Sequence, residues 1–299
     1  MDLHELGIAA RLPPAVQAAL EATELERVAQ WLLDDGPTEW DEGVAALADT
    51  LADVFVEIDP AVALGLVDQR RRRRPEPVPV RLALLEVDSA ARAGRRQMAL
   101  DRAAEVRALT LTADHETRLS VLNNLGTFLK DAGAFREATL LLTEALALAE
   151  DRPRQRITLL TNLATVSADR WVANGDAEDW RQALRRLDEA KQLCRDDPQA
   201  LGNVCFNRGF LFARSGRLAD ADAAYAAAEA AFQQAGSAPR DLAYLWRARG
   251  ALAGRAGRVT DATAAYQEAV HLFTELGDLD EAATTSIGLI MALATSGRL

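Results

Sequence analysis

Three asparagines recur at equivalent places in the sequence, and their side chains have the chemistry to hold a polypeptide backbone. Asn124, Asn162 and Asn207 each stand two residues before a small residue of a pattern that repeats about every forty residues. A carboxamide donates and accepts hydrogen bonds together, so a row of such side chains can bracket an extended peptide. A repeated asparagine also has a plainer interpretation as a structural consensus residue, and the sequence alone leaves both open.

Residue patterns that would support catalysis are missing from the sequence. His4, His115 and His271 are scattered, and there is no HExxH, paired CxxC, GxSxG or GxxxxGK[ST] motif. Cys194 and Cys205 are the only cysteines, and we expect two reduced thiols packed as small core side chains instead of a disulfide or a metal pair. The sequence therefore predicts a protein that is not an enzyme and has no cofactor or metal.

Composition and charge restrict the class of partner. The 299 residues carry a formal net charge of -11, which repels phosphate backbones and disfavours nucleic-acid binding. The sequence begins MDLHE, without the basic segment and apolar core of a secretory signal, and no apolar run approaches the roughly 20 residues of a membrane helix. We expect a cytoplasmic protein without membrane contact, and the abundance of alanine and arginine suggests a bacterial source.

Glycines mark a repeating unit along most of the chain. They stand at 94, 133, 175, 216, 257 and 297, about forty residues apart. Glycine adopts the left-handed conformation that ends many helices. Alanine follows five residues later in four of the units, at Ala99, Ala138, Ala221 and Ala262. We interpret each unit as two antiparallel helices joined at the turn glycine. Small residues such as Gly126 and Gly209 would let the two helix backbones approach closely.

This pattern resembles the tetratricopeptide repeat family in a long, roughly 40-residue spacing. The segments that carry the resemblance are LNNLGTFLKDAGAFREATLLLTEAL (122–146), CFNRGFLFARSGRLADADAAYAAAEAA (205–231) and WRARGALAGRAGRVTDATAAYQEAV (246–270). The resemblance implies an all-α fold, a right-handed α-superhelix built as a solenoid of helix pairs, with a helical N-terminal cap. The third unit departs from the pattern, because Ala164 replaces the helix glycine and extra residues surround RWVANGDAEDW (170–180).

The resemblance covers residues 80–299, which we predict to be a repeat array whose last repeat is incomplete. Residues 1–79 match the pattern poorly, and we predict a helical cap or degenerate repeats there. Within residues 1–79 a single helix is expected to run to about Asp34, and Thr38 is expected to cap the next. The PEPVPV segment (75–80) is the predicted hinge between the two regions.

The register of the repeat also implies which side chains line the inner face of the solenoid. Aromatic and arginine side chains dominate binding hot spots, and arginine can grip a carboxylate through two parallel hydrogen bonds. We therefore predict a groove that binds a protein or peptide segment, acidic or carrying a C-terminal carboxylate. The predicted groove residues are Asn123, Asn124, Lys130, Asn162, Phe206, Asn207, Phe210, Arg214, Tyr244, Arg247 and Arg255.

The arginine run QRRRRRPEP (69–77) admits two interpretations. Its arginines either form a solvated helix end, where positive charge favours the helix dipole, or a basic patch for an acidic protein partner. No aromatic residues interleave with the run, and the chain is acidic overall. We expect the solvated helix end.

The final helix also admits more than one interpretation. The stretch AATTSIGLIMALAT (282–295) has no charged residue, whereas a terminal helix of a repeat array presents a polar outer face. We expect either that the natural chain continues past residue 299 or that a homodimer forms through this helix. The first alternative suggests a different function, a regulatory or sensor arm of a larger multidomain protein. Similar repeats stand beside CHAT-type protease domains and in bacterial transcriptional regulators.

Overall fold

The chain is helical throughout the residues that the computed structural model describes, 12–34, 36–37, 40–73, 79–194 and 196–295. Over these residues there are fifteen helices and no strand, which confirms the predicted all-α fold. The helices are α1 (Pro14–Glu21), α2 (Leu25–Asp34), α3 (Glu42–Ile58), α4 (Pro60–Arg73), α5 (Val80–Arg92), α6 (Arg96–Leu109), α7 (His115–Asp131), α8 (Phe135–Leu148), α9 (Pro153–Asn174), α10 (Ala177–Leu193), α11 (Pro198–Arg214), α12 (Leu218–Ala235), α13 (Pro239–Arg255), α14 (Val259–Glu275) and α15 (Leu279–Thr295).

The helices group into two compact units, Met1–Leu148 and Ala149–Leu299. Consecutive helices pack as pairs: α7 with α8 in the first unit, and α9 with α10, α11 with α12 and α13 with α14 in the second. The first unit has a hydrophobic core formed by α1 to α5. The second has a core around Tyr225 and Phe232. The predicted boundary at residue 79 lies within the first unit and remains a prediction.

In the predicted repeat region, glycine forms the turns between paired helices, as predicted. Gly133, Gly216 and Gly257 have φ of 72°, 79° and 71°, the left-handed conformation. At the second of these turns the N–H of Arg217 donates to the carbonyl of Phe212 at 3.0 Å. Such bonds satisfy carbonyl groups that the end of a helix leaves without partners. Gly297, the last glycine of the predicted series, lies outside the described residues.

The first turn has the same geometry without a glycine. We predicted a single helix running to about Asp34, and this was wrong, because the chain turns between α1 and α2. Thr23 adopts φ of 61° there, and the N–H of Glu24 donates to the carbonyl of Ala19 at 2.7 Å. The bond is equivalent to those of the glycine turns, so α1 and α2 form a helix pair with the local geometry of a repeat.

The start of α3 differs from the predicted cap. Thr38 lies outside the described residues, and the helix begins at Glu42. The carboxylate of Asp41 accepts a hydrogen bond from the N–H of Val44 at 2.9 Å. Aspartate is among the best N-cap residues, because its side chain satisfies one of the first N–H groups of the helix.

The helix glycines make room for a large side chain of the paired helix. A Cβ atom on Gly126 would lie 2.5 Å from Cγ of Leu142, and one on Gly250 would lie 2.9 Å from the ring of Tyr266. We expected two backbones to approach each other at these positions. The neighbouring atoms instead belong to the bulky side chain that recurs in the second helix, so each glycine accommodates that side chain.

Three of the four described arginines of the run, Arg70, Arg71 and Arg73, do not form the solvated helix end that we expected. The side chain of Arg72 is 70% exposed, and Arg74 lies outside the described residues. Arg70 is buried, with Nε 3.6 Å from Oδ1 of Asp49. The guanidinium of Arg71 binds the buried carboxylate of Glu86 on α5 at 2.6 Å. Arg73 donates to the carbonyl of Gly36 at 2.5 Å. These arginines attach α4 to its neighbours within the first unit.

Candidate functional site

Six of the predicted groove residues surround one pocket in the second unit. The pocket has a volume of about 360 Å³ and lies between α11 and α13, with one residue contributed by α12. The predicted residues that line it are Phe206, Phe210, Arg214, Tyr244, Arg247 and Arg255. Three small residues, Ala213, Ala248 and Ala251, leave space between the rings. We call this cavity the α11–α13 pocket.

The spacing of the lining residues explains why they face one cavity. On α11 the residues Phe206, Phe210 and Ala213 are separated by four and three positions, which places them on one side of a helix. α11 begins after Asp197, whose carboxylate accepts a hydrogen bond from the N–H of Ala200 at 3.0 Å. A capped start fixes where the helix begins and therefore which residues its inner side presents.

Two of the three arginines in the pocket already have a carboxylate partner in the second unit. Arg214 Nη1 lies 3.0 Å from Oδ1 of Asp169 on α9, and its guanidinium stands over the ring of Phe210 at 5.4 Å. Arg247 pairs with Glu281 on α15. The positive charge of these two arginines is therefore largely compensated within the chain.

Arg255 differs from the other two arginines. Its Nη1 donates to the backbone carbonyl of Ala213 at 2.5 Å, at the last turn of α11. Among the described residues no carboxylate pairs with it. A guanidinium has five N–H groups, so Arg255 retains donors for an acceptor outside the chain.

Glu281 shows how this region of the protein holds a carboxylate. The hydroxyl of Tyr244 donates to Oε1 of Glu281 at 2.9 Å, and Arg247 donates to Oε2. Burial acts to raise the pKa of Glu281, but the hydrogen bonds from Tyr244 and Arg247 prevail and hold that pKa below its usual range. A tyrosine hydroxyl and an arginine together therefore stabilise the ionised form of a glutamate here.

Tyr225 forms the floor of the α11–α13 pocket and was not among the predicted groove residues. It reaches the pocket from α12, although only 1% of its surface is exposed. Burial raises the pKa of Tyr225, and the positive charge of Arg255 opposes that rise. The phenol is therefore neutral at physiological pH and remains a hydrogen-bond donor. The sequence signal for this residue is its place in the repeat, where Leu142 and Leu187 stand in other units.

Asn162 lines a second, more polar pocket in the same unit. This cavity of about 430 Å³ lies between α9 and α11. Thr158 and Thr161 of α9 face Gln199 and Asn203 of α11 across it. Gln199 and Asn203 are four positions apart on α11, and Phe206 and Phe210 follow at the same helical spacing. The two pockets therefore lie along one side of α11.

Comparison with known proteins identifies the architecture. No model of a known protein family matches the chain, and no curated protein matches it. Solved structures do match. A tetratricopeptide repeat protein from Parabacteroides merdae is similar with a TM-score of 0.56 and 14% identity, over 95% of this chain and 98% of that chain. BtubC from P. vanneervenii is similar with a TM-score of 0.51 and 18% identity, over 85% of this chain and 92% of that chain.

The chain has the tetratricopeptide-repeat fold. A signal transduction ATPase with numerous domains from Pyrococcus horikoshii, which carries a tetratricopeptide repeat sensor, is also similar, with a TM-score of 0.53 and 12% identity. That match covers 98% of this chain and 44% of the other. Identities this low establish the fold alone, and a fold does not by itself define a function.

Asn207 lies on the repeat helix α11 but outside both pockets. Its Nδ2 donates to the backbone carbonyl of Asn203 at 2.8 Å, one turn earlier in the same helix. A carboxamide bonded to its own helix has fewer groups left for a ligand. The geometry of Asn207 therefore favours the structural interpretation over the binding one.

The remaining predicted residues belong to the repeat helix α7 of the first unit. Asn123, Asn124 and Lys130 are each partly buried, and the ammonium of Lys130 lies 2.5 Å from Oδ1 of Asp131. The carbonyl of Asn123 accepts a hydrogen bond from the hydroxyl of Thr127 at 3.0 Å. They stand in a different compact unit from the α11–α13 pocket, and their role in binding remains a prediction.

The described residues of the chain contain neither a metal site nor a membrane span. No group of three His, Cys, Asp or Glu side chains among them is arranged to hold a metal ion. No helix there combines the length and apolar character needed to cross a bilayer. Cys194 and Cys205 are buried free thiols, and burial raises the pKa of Cys194 to about 11. A thiol with that pKa is protonated at neutral pH and unreactive.

Proposed function

We propose that this protein is a protein–protein interaction scaffold that holds an extended segment of a partner along α11 and α13. One observation carries the proposal: Phe206, Phe210, Tyr244 and Arg255 converge on one pocket instead of scattering over the surface. Aromatic and arginine side chains supply most of the binding energy in protein interfaces. Phe210 is 45% exposed, so a ligand would bury apolar area that now contacts water.

The charges in the pocket favour a partner segment with an acidic residue. The chain as a whole has a net charge of -11, which would repel an acidic partner at long range. At contact distance the local cations dominate, because charges beyond about 8 Å are screened at physiological ionic strength. Arg255, which has no carboxylate partner among the described residues, is the cation that such a segment would meet.

The polar pocket around Asn162 supports an extended ligand instead of a single anchored side chain. It lies along α11 from the aromatic residues, and its lining includes the side chains of Thr158, Thr161 and Asn203. The hydroxyls of Thr158 and Thr161 donate to carbonyls of α9, so they offer acceptors to the N–H groups of a peptide. The carboxamide of Asn203 can both donate and accept. The centres of the two pockets on α11 are about ten residues apart, or about 15 Å at the rise of an α-helix. An extended peptide spans that distance with about five residues.

A peptide library tests this function without a known partner. The full chain is used to select from random heptapeptides displayed on phage, and the best peptide is synthesised and its affinity measured by fluorescence anisotropy. We expect Phe206→Ala and Arg255→Ala each to weaken binding about tenfold or more. Leu140→Ala, at an exposed apolar residue of α8 outside the pocket, is the matched control and should change affinity less than twofold. If neither pocket variant weakens any selected peptide, the proposal is wrong.

The exposed side of α15 supports a second contact surface. Ile287 and Ile290 are both more than half exposed, and contiguous exposed apolar residues commonly mark interaction sites. The homodimer predicted through residues 282–295 remains a proposal. The same holds for a role as a sensor arm in a larger bacterial, cytoplasmic protein, since similarity to the sensor-bearing ATPase extends only to the fold.

A further inference from the structure

The floor of the α11–α13 pocket carries a tyrosine hydroxyl that no described protein group binds. Tyr225 is 1% exposed and lines the pocket, and its hydroxyl makes no hydrogen bond with any of the described residues of the chain. The hydroxyl is not among the completely enclosed polar atoms of those residues, so it is open to the cavity. A phenol donor that is open to a cavity can be satisfied by an acceptor that a ligand brings.

The rim of the same pocket carries the complementary charge. Arg255 lines the cavity from α13 and is anchored by one hydrogen bond to the carbonyl of Ala213. Its charge reaches the phenol, since it opposes the rise in the pKa of Tyr225 that burial causes. A group that accepts from the hydroxyl and carries negative charge would satisfy both residues.

The chain contains an internal example of this donor pair. On α13 a tyrosine hydroxyl, that of Tyr244, and an arginine, Arg247, together bind the side-chain carboxylate of Glu281 on α15. Tyr225 and Arg255 present the same two kinds of donor with no glutamate between them. The example favours a glutamate side chain as the occupant, because the same pair of donor types already holds one in this protein.

We propose that Tyr225 and Arg255 form a carboxylate subsite that takes a glutamate side chain from the partner segment. The hydroxyl of Tyr225 donates to one carboxylate oxygen at the floor, and the guanidinium of Arg255 donates to the other at the rim. Phe206 and Leu252 surround the methylene groups. This subsite rests on the proposed function and names the residues that would select an acidic partner segment. They are Arg255 and Tyr225, and not Arg214 and Arg247.

The test is a double-mutant cycle on the full chain with the library-selected peptide and a second peptide in which its glutamate is replaced by glutamine. Tyr225→Phe removes only the hydroxyl and leaves the ring against Gly209. We expect this variant to bind the glutamate peptide about tenfold more weakly and the glutamine peptide within twofold of the unmodified chain. Tyr266→Phe is the matched control, because Tyr266 packs against Gly250 in the next repeat, and it should leave both affinities unchanged.

The outcomes separate this inference from the function on which it rests. One outcome is that Phe206→Ala weakens binding of the selected peptide while Tyr225→Phe binds it as tightly as the unmodified chain does. This outcome would overturn the carboxylate subsite alone. Amidation of the peptide C-terminus is a second check. If amidation, and not the change of glutamate to glutamine, abolishes the difference in affinity between Tyr225→Phe and the unmodified chain, the bound carboxylate is a chain terminus. That result would also overturn the glutamate subsite alone. A library without any peptide that depends on Phe206 would overturn the proposed function together with the subsite. Urea unfolding confirms that Tyr225→Phe is folded, and we expect no loss of stability.

Discussion

The ring of Tyr225 lies directly against the backbone of Gly209: a Cβ atom on the glycine would come within 2.4 Å of the ring carbons Cδ1 and Cε1. Gly209→Ala must therefore displace the ring that forms the pocket floor. Overpacking of this kind costs about 1 to 3 kcal/mol, partly offset by the better helix propensity of alanine. We expect a net loss of about 1 kcal/mol in the free energy of unfolding, measured with urea, and weaker peptide binding.

Gly254 provides the control for that substitution. It lies on α13, and a Cβ atom there would meet no atom within 4 Å. Gly254→Ala should leave the free energy of unfolding unchanged or raise it by up to about 1 kcal/mol through helix propensity. Equal effects of the two substitutions would show that the contact with Tyr225 is unimportant.

Among the described residues, Thr23 is the one non-glycine residue with a positive φ. It occupies the turn position that glycine fills in the repeats, with φ of 61°. A β-branched residue in the left-handed region costs about 1 to 2 kcal/mol, while glycine loses more backbone entropy on folding. We expect Thr23→Gly to raise the free energy of unfolding by about 0.5 to 1 kcal/mol, measured by urea denaturation.

Gly133→Thr is the reverse substitution in a repeat turn, at φ of 72°. It should lower the free energy of unfolding by at least as much as Thr23→Gly raises it. A destabilised Thr23→Gly variant would mean that the threonine side chain makes a favourable contact which outweighs the backbone strain.

Glu86 is a buried carboxylate that joins three helices of the first unit. It binds Arg71 of α4 at 2.6 Å and Arg102 of α6 at 2.9 Å, and its side chain is 3% exposed. Glu86→Ala leaves two partly buried guanidinium groups without their acceptor, so we expect a loss of about 3 kcal/mol in the free energy of unfolding. The matched control is Asp68→Ala, at a mostly exposed pair with Arg72, which should cost less than about 1 kcal/mol. Similar losses in both variants would contradict this account of the arginine run.

Asp179 should make the stability of the second unit sensitive to acid. Hydrogen bonding to Arg170 holds the pKa of Asp179 below its usual range, against the effect of burial, and Asn174 adds a second bond. Because the folded-state pKa is lower than the unfolded value of about 3.9, the ionised form stabilises the fold above that pH. The contribution is lost as the pH falls from there through the folded-state pKa.

Asp179→Asn measures this contribution. We expect the variant to be less stable than the unmodified chain at pH 7 by about 1.5 to 3 kcal/mol, the value of a charged hydrogen bond. The difference should shrink as the pH falls below about 4, followed by urea unfolding at each pH. Asp261→Asn, at a mostly exposed residue 3.9 Å from Arg258, should show little difference at any pH. A difference for Asp179→Asn that does not vary with pH would contradict the prediction.

The features of the fold that local chemistry determines could be predicted from the sequence. Glycine turns such as Gly216 depend on the residue that occupies the left-handed position, and the sequence shows that residue directly. The turn at Thr23 could not be predicted in this way, because threonine rarely adopts that conformation. The apolar residues of α1 and α2 follow a helical spacing that continues from one helix into the next, so this spacing does not indicate the turn between them.

The candidate site could be predicted only incompletely, because its electrostatics depend on residues far apart in the chain. The positions of Phe206, Phe210 and Arg255 follow from the repeat register. The partners of the other two arginines do not: Asp169 and Glu281 come from other repeats, and no local pattern indicates the pairing. Tyr225 was overlooked for a related reason, since a large residue at its repeat position is expected to be core, and only the three-dimensional structure shows that the core side chain borders a cavity.

Photo-crosslinking tests most directly whether a partner segment lies in the α11–α13 pocket. The full chain is prepared with p-benzoylphenylalanine in place of Phe210, or in place of the exposed Ala227 on α12, which does not line the pocket. Each protein is irradiated with the library-selected peptide, and crosslinked product is quantified by mass spectrometry. The proposed function predicts crosslinking from position 210 and almost none from position 227. Equal yields from the two positions, or none from position 210, would contradict it.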